Sequence, residues 1–188
     1  MLEQSPSQTV GPFFHFGLFR GGENILVNDT TQGQRVRIIG HVFDGDGAVI
    51  LDAMLEIWQA DAQGYFNHPA DPHQALADKQ FRGFGRADTA NDGIFSFETI
   101  KPGGVTGYDG NPQAPQINVR IFSRGLLTHA DTRLYFADEP ANQSDAFLNS
   151  IDPARRHTLM AVLVDSGPVP TYRFDIHLQG DDETVFFA

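Results

Sequence analysis

The chain has 188 residues, 40% of them hydrophobic and sixteen of them Phe, which is enough for one domain with a packed core. Its formal charge of −11 argues against nucleic acid and anionic membrane as partners, because the long-range field repels phosphate. With no cysteine, disulfides, thiolate metal sites and cysteine nucleophiles are excluded.

Residues 1–30 are predicted to form an irregular arm. Pro6, Gly11, Pro12, Gly17, Gly21 and Gly22 break it up, and Phe13, Phe14, Phe16 and Phe19 must lie against something. Composition leaves open whether they pack on their own domain or cover a partner. An exposed aromatic cluster tips the expectation toward a partner. The opening has no basic leader followed by an apolar run, and no stretch reaches membrane-spanning length, so the cytoplasm is the expected compartment.

Residues 31–188 read as a single β domain. Val36, Ile38, Gly40 and Val42 alternate with Arg35, Arg37, Ile39 and His41, the period of a strand. Asp44-Gly45-Asp46-Gly47 is a turn signal, as is Asn91-Asp92-Gly93. Strands are also expected around Leu55 and Ile57, from Ile94 to Ile100, around Ile117 to Ile121, from Thr132 to Phe136 and from Tyr172 to Leu178. The last of these shows the cleanest alternation. Helix signals are confined to residues 138–150 and to Asp152-Pro153, where an N-cap precedes proline. Nineteen Gly, eleven Pro and many short strands predict an all-β fold, an antiparallel β-sandwich with long loops and one or two short helices. Residues 64–80 and 101–116 are the long connections, where function concentrates.

The histidines carry no metal motif. His68 and His73 flank Asp71 in a Pro-rich loop that reads as solvated, and His41 and His177 fall on the polar faces of strands. Trp58, the only tryptophan, reads as a packing residue at a strand end.

Three stretches carry a family resemblance: LEIWQADAQG at 55–64, GIFSFETIKPG at 93–103 and YRFDIHLQGDDETVFF at 172–187. Their order and spacing resemble the intradiol ring-cleavage dioxygenases, above all the subunits of the protocatechuate 3,4-dioxygenases. SPSQTVGPFFHFGL at 5–18 and DTRLYFADE at 131–139 look most like the α-type chains of that family. The resemblance implies the sandwich fold of the intradiol dioxygenases and an αβ heteromer that assembles further. It also implies a ferric iron held in the β subunit by two Tyr and two His, a hard-donor set suited to Fe(III).

The positions matching those ligands are Phe66, Val105, Gln116 and Asn118. Tyr65 lies one residue from the first of them, but a one-residue slip in extended chain turns a side chain to the other face. Tyr108 stands three residues beyond the second. The chain is therefore expected to bind no cofactor itself, with Fe(III) in the partner β subunit and protocatechuate and dioxygen at a shared site. The resemblance further implies that Thr9, Gly11 and Pro12 line the substrate pocket and that Arg124, in an Arg-Gly pair, approaches the active-site mouth of the partner chain, where a guanidinium suits a substrate carboxylate; Arg133 is a weaker second candidate. Without the resemblance, Arg124 is as readily a solvated loop arginine, and a stand-alone binding module on the same scaffold is the alternative function.

Overall fold

The protein is described here by a computed structural model covering residues 17–107 and 110–187. Its strands are β1 (Arg35–Phe43), β2 (Met54–Trp58), β3 (Phe84–Asp88), β4 (Ile94–Ile100), β5 (Val105–Thr106), β6 (Pro112–Gln113), β7 (Gln116–Phe122), β8 (Ala130–Phe136), β9 (Met160–Asp165), β10 (Thr171–Arg173) and β11 (Ile176–His177). A short helix, α1 (Ala146–Ser150), is capped by the Asp145 carboxylate, which accepts from the Leu148 amide. The 3-10 turn Pro140–Ser144 precedes it.

The main sheet runs β4, β1, β10 with β11, β9, β8, β7, β2, β3, and β5 with β6 forms a separate ribbon. The fold is mostly β, as expected, but its sheet is not the expected antiparallel sandwich. β1 runs parallel to β10 and β11, and β8 parallel to β9, so the sheet is mixed. It also curls until its two ends nearly meet. Residues 23–26 stitch that seam: the Arg86 amide of β3 donates to the Glu23 carbonyl at 3.0 Å, and the Glu98 amide of β4 donates to that of Asn24 at 2.9 Å. The Leu26 amide returns a bond to the Glu98 carbonyl at 2.8 Å, and the Leu26 side chain is buried in the core. Residues 23–26 thus join the β domain.

Period-two alternation places the core. Val36, Ile38 and Val42 of β1 meet Phe95 and Phe97 of β4, Leu55 and Ile57 of β2, and Ile117, Val119 and Ile121 of β7 inside the curled sheet. The last strand expected from sequence keeps its alternation, with Tyr172, Phe174 and Ile176 buried, but is interrupted between β10 and β11. The cause is Asp175, whose carboxylate accepts from the His41 amide at 3.0 Å in place of a ladder carbonyl. A smaller cluster of Ala114, Tyr135, Leu148 and Leu159 sits under α1.

Candidate functional site

The loop after β2 is organised by Asp61, which is buried and accepts from the amides of Gln63, Tyr65 and Asp78 at 2.9, 3.0 and 2.7 Å. At Gly64 (φ +88°) a Cβ would stand 2.0 Å from the Gly104 carbonyl oxygen, so only glycine lets this turn approach the 101–104 segment. The turn aims consecutive side chains apart. Tyr65 lies beside His73, with ring centroids 6.0 Å apart, while Phe66 stacks on Trp58 at 5.8 Å and 14°. A residue in register with Phe66, not Tyr65, faces the sheet.

The other three positions of interest meet through two residues. Asn118 donates its side-chain amide to the Trp58 carbonyl at 3.3 Å. Gln116 donates to Oε1 of Gln113 at 2.9 Å, and Gln113 is the ladder partner of Val105. Phe66, Val105, Gln116 and Asn118 are thus gathered around Trp58 and Gln113. These residues do not fit a ferric ion: a phenyl ring, an isopropyl group and two neutral carboxamides already engaged with protein supply neither phenolate nor imidazole. Among the described residues no three His, Cys, Asp or Glu side chains cluster as a metal site requires.

Beside this pseudo-site, a cavity of about 830 Å³ opens on the outer face of β2, β7 and β8. Its charged lining comes from the strand positions that point away from the core: Glu56 on β2, Arg120 on β7, Asp131 and Arg133 on β8. Arg86 of β3 donates Nε to Glu56 at 2.9 Å, and Arg120 donates Nε and Nη2 to the two oxygens of Asp131 at 2.7 and 3.1 Å. That pairing, chiefly the hydrogen bonds to Asp131, pushes the Arg120 pKa up. Arg133 lies with Cζ 3.9 Å over the Phe147 ring. Its Nη1 makes long contacts, 3.5 Å each, to Gln113 and to the buried Tyr135 hydroxyl. Burial pushes the Tyr135 phenol up, so that hydroxyl is neutral. Sequence alternation alone would have marked Glu56 and Arg120 as outward-facing, but nothing in it joined them to Phe147 and Phe187, which arrive from α1 and the C-terminal segment.

Arg124 is elsewhere. It follows the end of β7 in a turn completed by Gly125 (φ 83°), six residues beyond Asn118 and on the order of 20 Å away along the strand. Its side chain is 73% exposed and pairs through Nε with Asp52 at 3.2 Å, itself 52% exposed. The two arginines expected to share a role therefore occupy different places, one on an exposed turn and one in the cavity wall. Thr9, Gly11, Pro12 and Tyr108 lie outside the described residues. His68 and His73 are exposed on their loop, as a solvated loop requires. Among the described residues no helix is long and apolar enough to cross a membrane.

The curled, mixed β-sheet is shared with solved dioxygenases, and the sequence matches a dioxygenase family. The family model described as Dioxygenase matches residues 11–180. The protocatechuate 3,4-dioxygenase alpha chain of Pseudomonas putida is 41% identical over 200 residues, spanning 100% of this chain and 97% of that protein. The beta chain of the enzyme from Burkholderia cepacia is 32% identical over 168 residues, spanning 86% of this chain and 72% of that one. Among solved structures, the dioxygenase domain of a dioxygenase and carbohydrate-binding protein fusion from Streptomyces sp. SirexAA-E superposes with a TM-score of 0.65 at 27% identity, covering 94% of this chain and 99% of that one. The chain belongs to the intradiol dioxygenase family.

Proposed function

We propose that this chain is the iron-free α-type subunit of a protocatechuate 3,4-dioxygenase. It assembles with a β-type chain that holds Fe(III), and the complex cleaves protocatechuate with dioxygen to 3-carboxy-cis,cis-muconate. The observation that carries this reading is the loss of all four ligand positions, Phe66, Val105, Gln116 and Asn118, on a chain similar from end to end to an α chain. Ring cleavage by a family member without donors for the metal requires a partner that has them. Its contribution is interface and pocket wall: the aromatic arm with Thr9, Gly11 and Pro12, and the exposed guanidinium of Arg124. Arg124 is free to exchange its weak surface pairing with Asp52 for a substrate carboxylate.

Co-expression with an iron-binding β-type chain tests the proposal. The expected result is one stable αβ complex that turns over protocatechuate, with neither ring cleavage nor iron in this chain alone. A monomeric chain that ignores the β-type chain would identify a binding module instead.

A further inference from the structure

We propose that the cavity over β2, β7 and β8 is itself a binding site for a small aromatic carboxylate, with Arg133 holding the carboxylate and the surrounding rings holding the aromatic face. The argument begins with charge. Four charged side chains line the cavity, and three of them are engaged: Glu56 with Arg86, and Asp131 with Arg120. Arg133 is the remaining one. Among the described residues it has no acid partner, and its polar contacts are two neutral oxygens, both at 3.5 Å and both on Nη1. A guanidinium offers five donors in a fixed fork that matches a carboxylate edge to edge.

The fork is also held in place. Arg133 stacks on Phe147 at 3.9 Å and lies 6.0 Å from the Phe187 centroid, and those two rings meet edge to face at 5.1 Å. An arginine held in this way has already lost much of its rotamer freedom, so a bound anion need not order it. Trp58, which stacks on Phe66, adds aromatic wall together with Phe84 and Phe186, and Ile57, Asn118, Val119 and Thr132 complete the lining. Flat aromatic walls, a cation without an acid partner among the described residues and a volume of about 830 Å³ suit a planar acid. No metal and no chemical step are involved. Binding here is an equilibrium event on this chain, over and above any contribution it makes to a partner's iron site.

Trp58 is the only tryptophan in the chain and forms part of the cavity wall, so its fluorescence reports occupancy. The full-length chain is titrated with benzoate, with cyclohexanecarboxylate and with benzyl alcohol. Benzoate should change Trp58 emission saturably, and each of the other two should bind at least several-fold more weakly, the alcohol by roughly tenfold for want of the charged hydrogen bonds. Arg133→Gln should weaken benzoate by roughly tenfold, with Arg133→Lys between it and the wild type. If Arg133→Gln fails to fold by circular dichroism, the acid-against-alcohol comparison on the unmodified chain still decides. The proposal is overturned by no saturable response up to on the order of 10 mM benzoate, by equal affinity for acid and alcohol, or by unchanged affinity in a folded Arg133→Gln. In the αβ complex, fluorine NMR of 4-fluorobenzoate should show one set of sites lost on Arg133→Gln. If that substitution changes nothing there, the partner chain fills the cavity and the proposal fails.

Discussion

Asn118 and Trp58 face one another across β7 and β2, and the Asn118 side-chain amide bonds the Trp58 main-chain carbonyl at 3.3 Å. A side chain at a ligand-matching position is thus used to tie two strands together, just as the neighbouring Gln116 is used to hold Gln113. The carboxamides of Asn118 and Gln116 thus serve the scaffold.

Restoring one donor should therefore not restore a metal centre. The purified chain mixed with ferric iron should show no phenolate-to-iron absorption in the visible, and Phe66→Tyr alone should show none either. Three of the four positions would still lack a donor. A charge-transfer band from the unmodified chain would contradict the assignment of an iron-free subunit.

Gly40 leaves no room for a side chain. A Cβ there would stand 1.9 Å from the Phe174 carbonyl oxygen and 2.7 Å from Cζ of Phe95. Backbone of a neighbouring strand cannot swing away as a side-chain tip can, so Gly40→Ala should cost about 3 kcal/mol or more. The urea midpoint measures this, and a shift equivalent to under about 1 kcal/mol would mean that β1 and the β10–β11 segment separate at little cost.

The alternation in β1, β4 and β7 was legible because one face of each strand meets the core and the other does not, which period two records directly. The mixed, curled sheet was not. Pairing direction depends on where long connections return the chain, and neither the parallel placement of β10 beside β1 nor the Glu23–Leu26 seam leaves a periodic mark. Asp175 shows the same limit at one residue, since it reads as the polar half of an alternating strand but breaks the ladder with its own carboxylate. At the candidate site, Phe66, Val105, Gln116 and Asn118 were singled out by resemblance alone, while their contacts with Trp58 and Gln113 needed the structure. That Arg133 and Arg124 would part company followed only from the length of β7 and the turn at Gly125.

Tyr172 supplies a pH signature. Burial, reinforced by its hydrogen bond to Asp138 at 2.9 Å, pushes its phenol from 10.0 up to about 12. A group whose pKa is raised on folding stabilises the fold fully below its unfolded pKa and loses that contribution as pH rises through the folded one. Thermal stability should therefore lose the Tyr172 contribution between pH 10 and pH 12. Tyr172→Phe should be less stable at neutral pH yet fall less steeply across that window. Parallel melting curves for the two proteins above pH 10 would show that the phenol is not held neutral by the fold.

Arg124 offers the sharpest separation between a surface residue and a substrate-reading one. Its pairing with Asp52 is exposed on both sides, 73% and 52%, so in this chain it contributes only about 0–1 kcal/mol. Arg124→Ala should accordingly leave the melting temperature of the chain nearly unchanged. In the αβ complex the expectation differs. Protocatechuate carries a carboxylate that catechol lacks, and a chain of net charge −11 repels an anion unless a local cation intervenes. If Arg124 meets that carboxylate in a desolvated mouth, removing it costs about 1.5–3 kcal/mol, or roughly ten- to a hundredfold in kcat/KM for protocatechuate. Arg124→Glu should be worse, because it replaces attraction by repulsion. Catechol turnover should change little with either substitution, since the missing interaction is with a group catechol does not have. The measurement is the ratio of kcat/KM for protocatechuate to that for catechol, in the wild-type complex and in Arg124→Ala. A collapse of the ratio with an intact melting curve places Arg124 at the substrate, whereas an unchanged ratio leaves the carboxylate to the β-type chain and Arg124 to its pairing with Asp52.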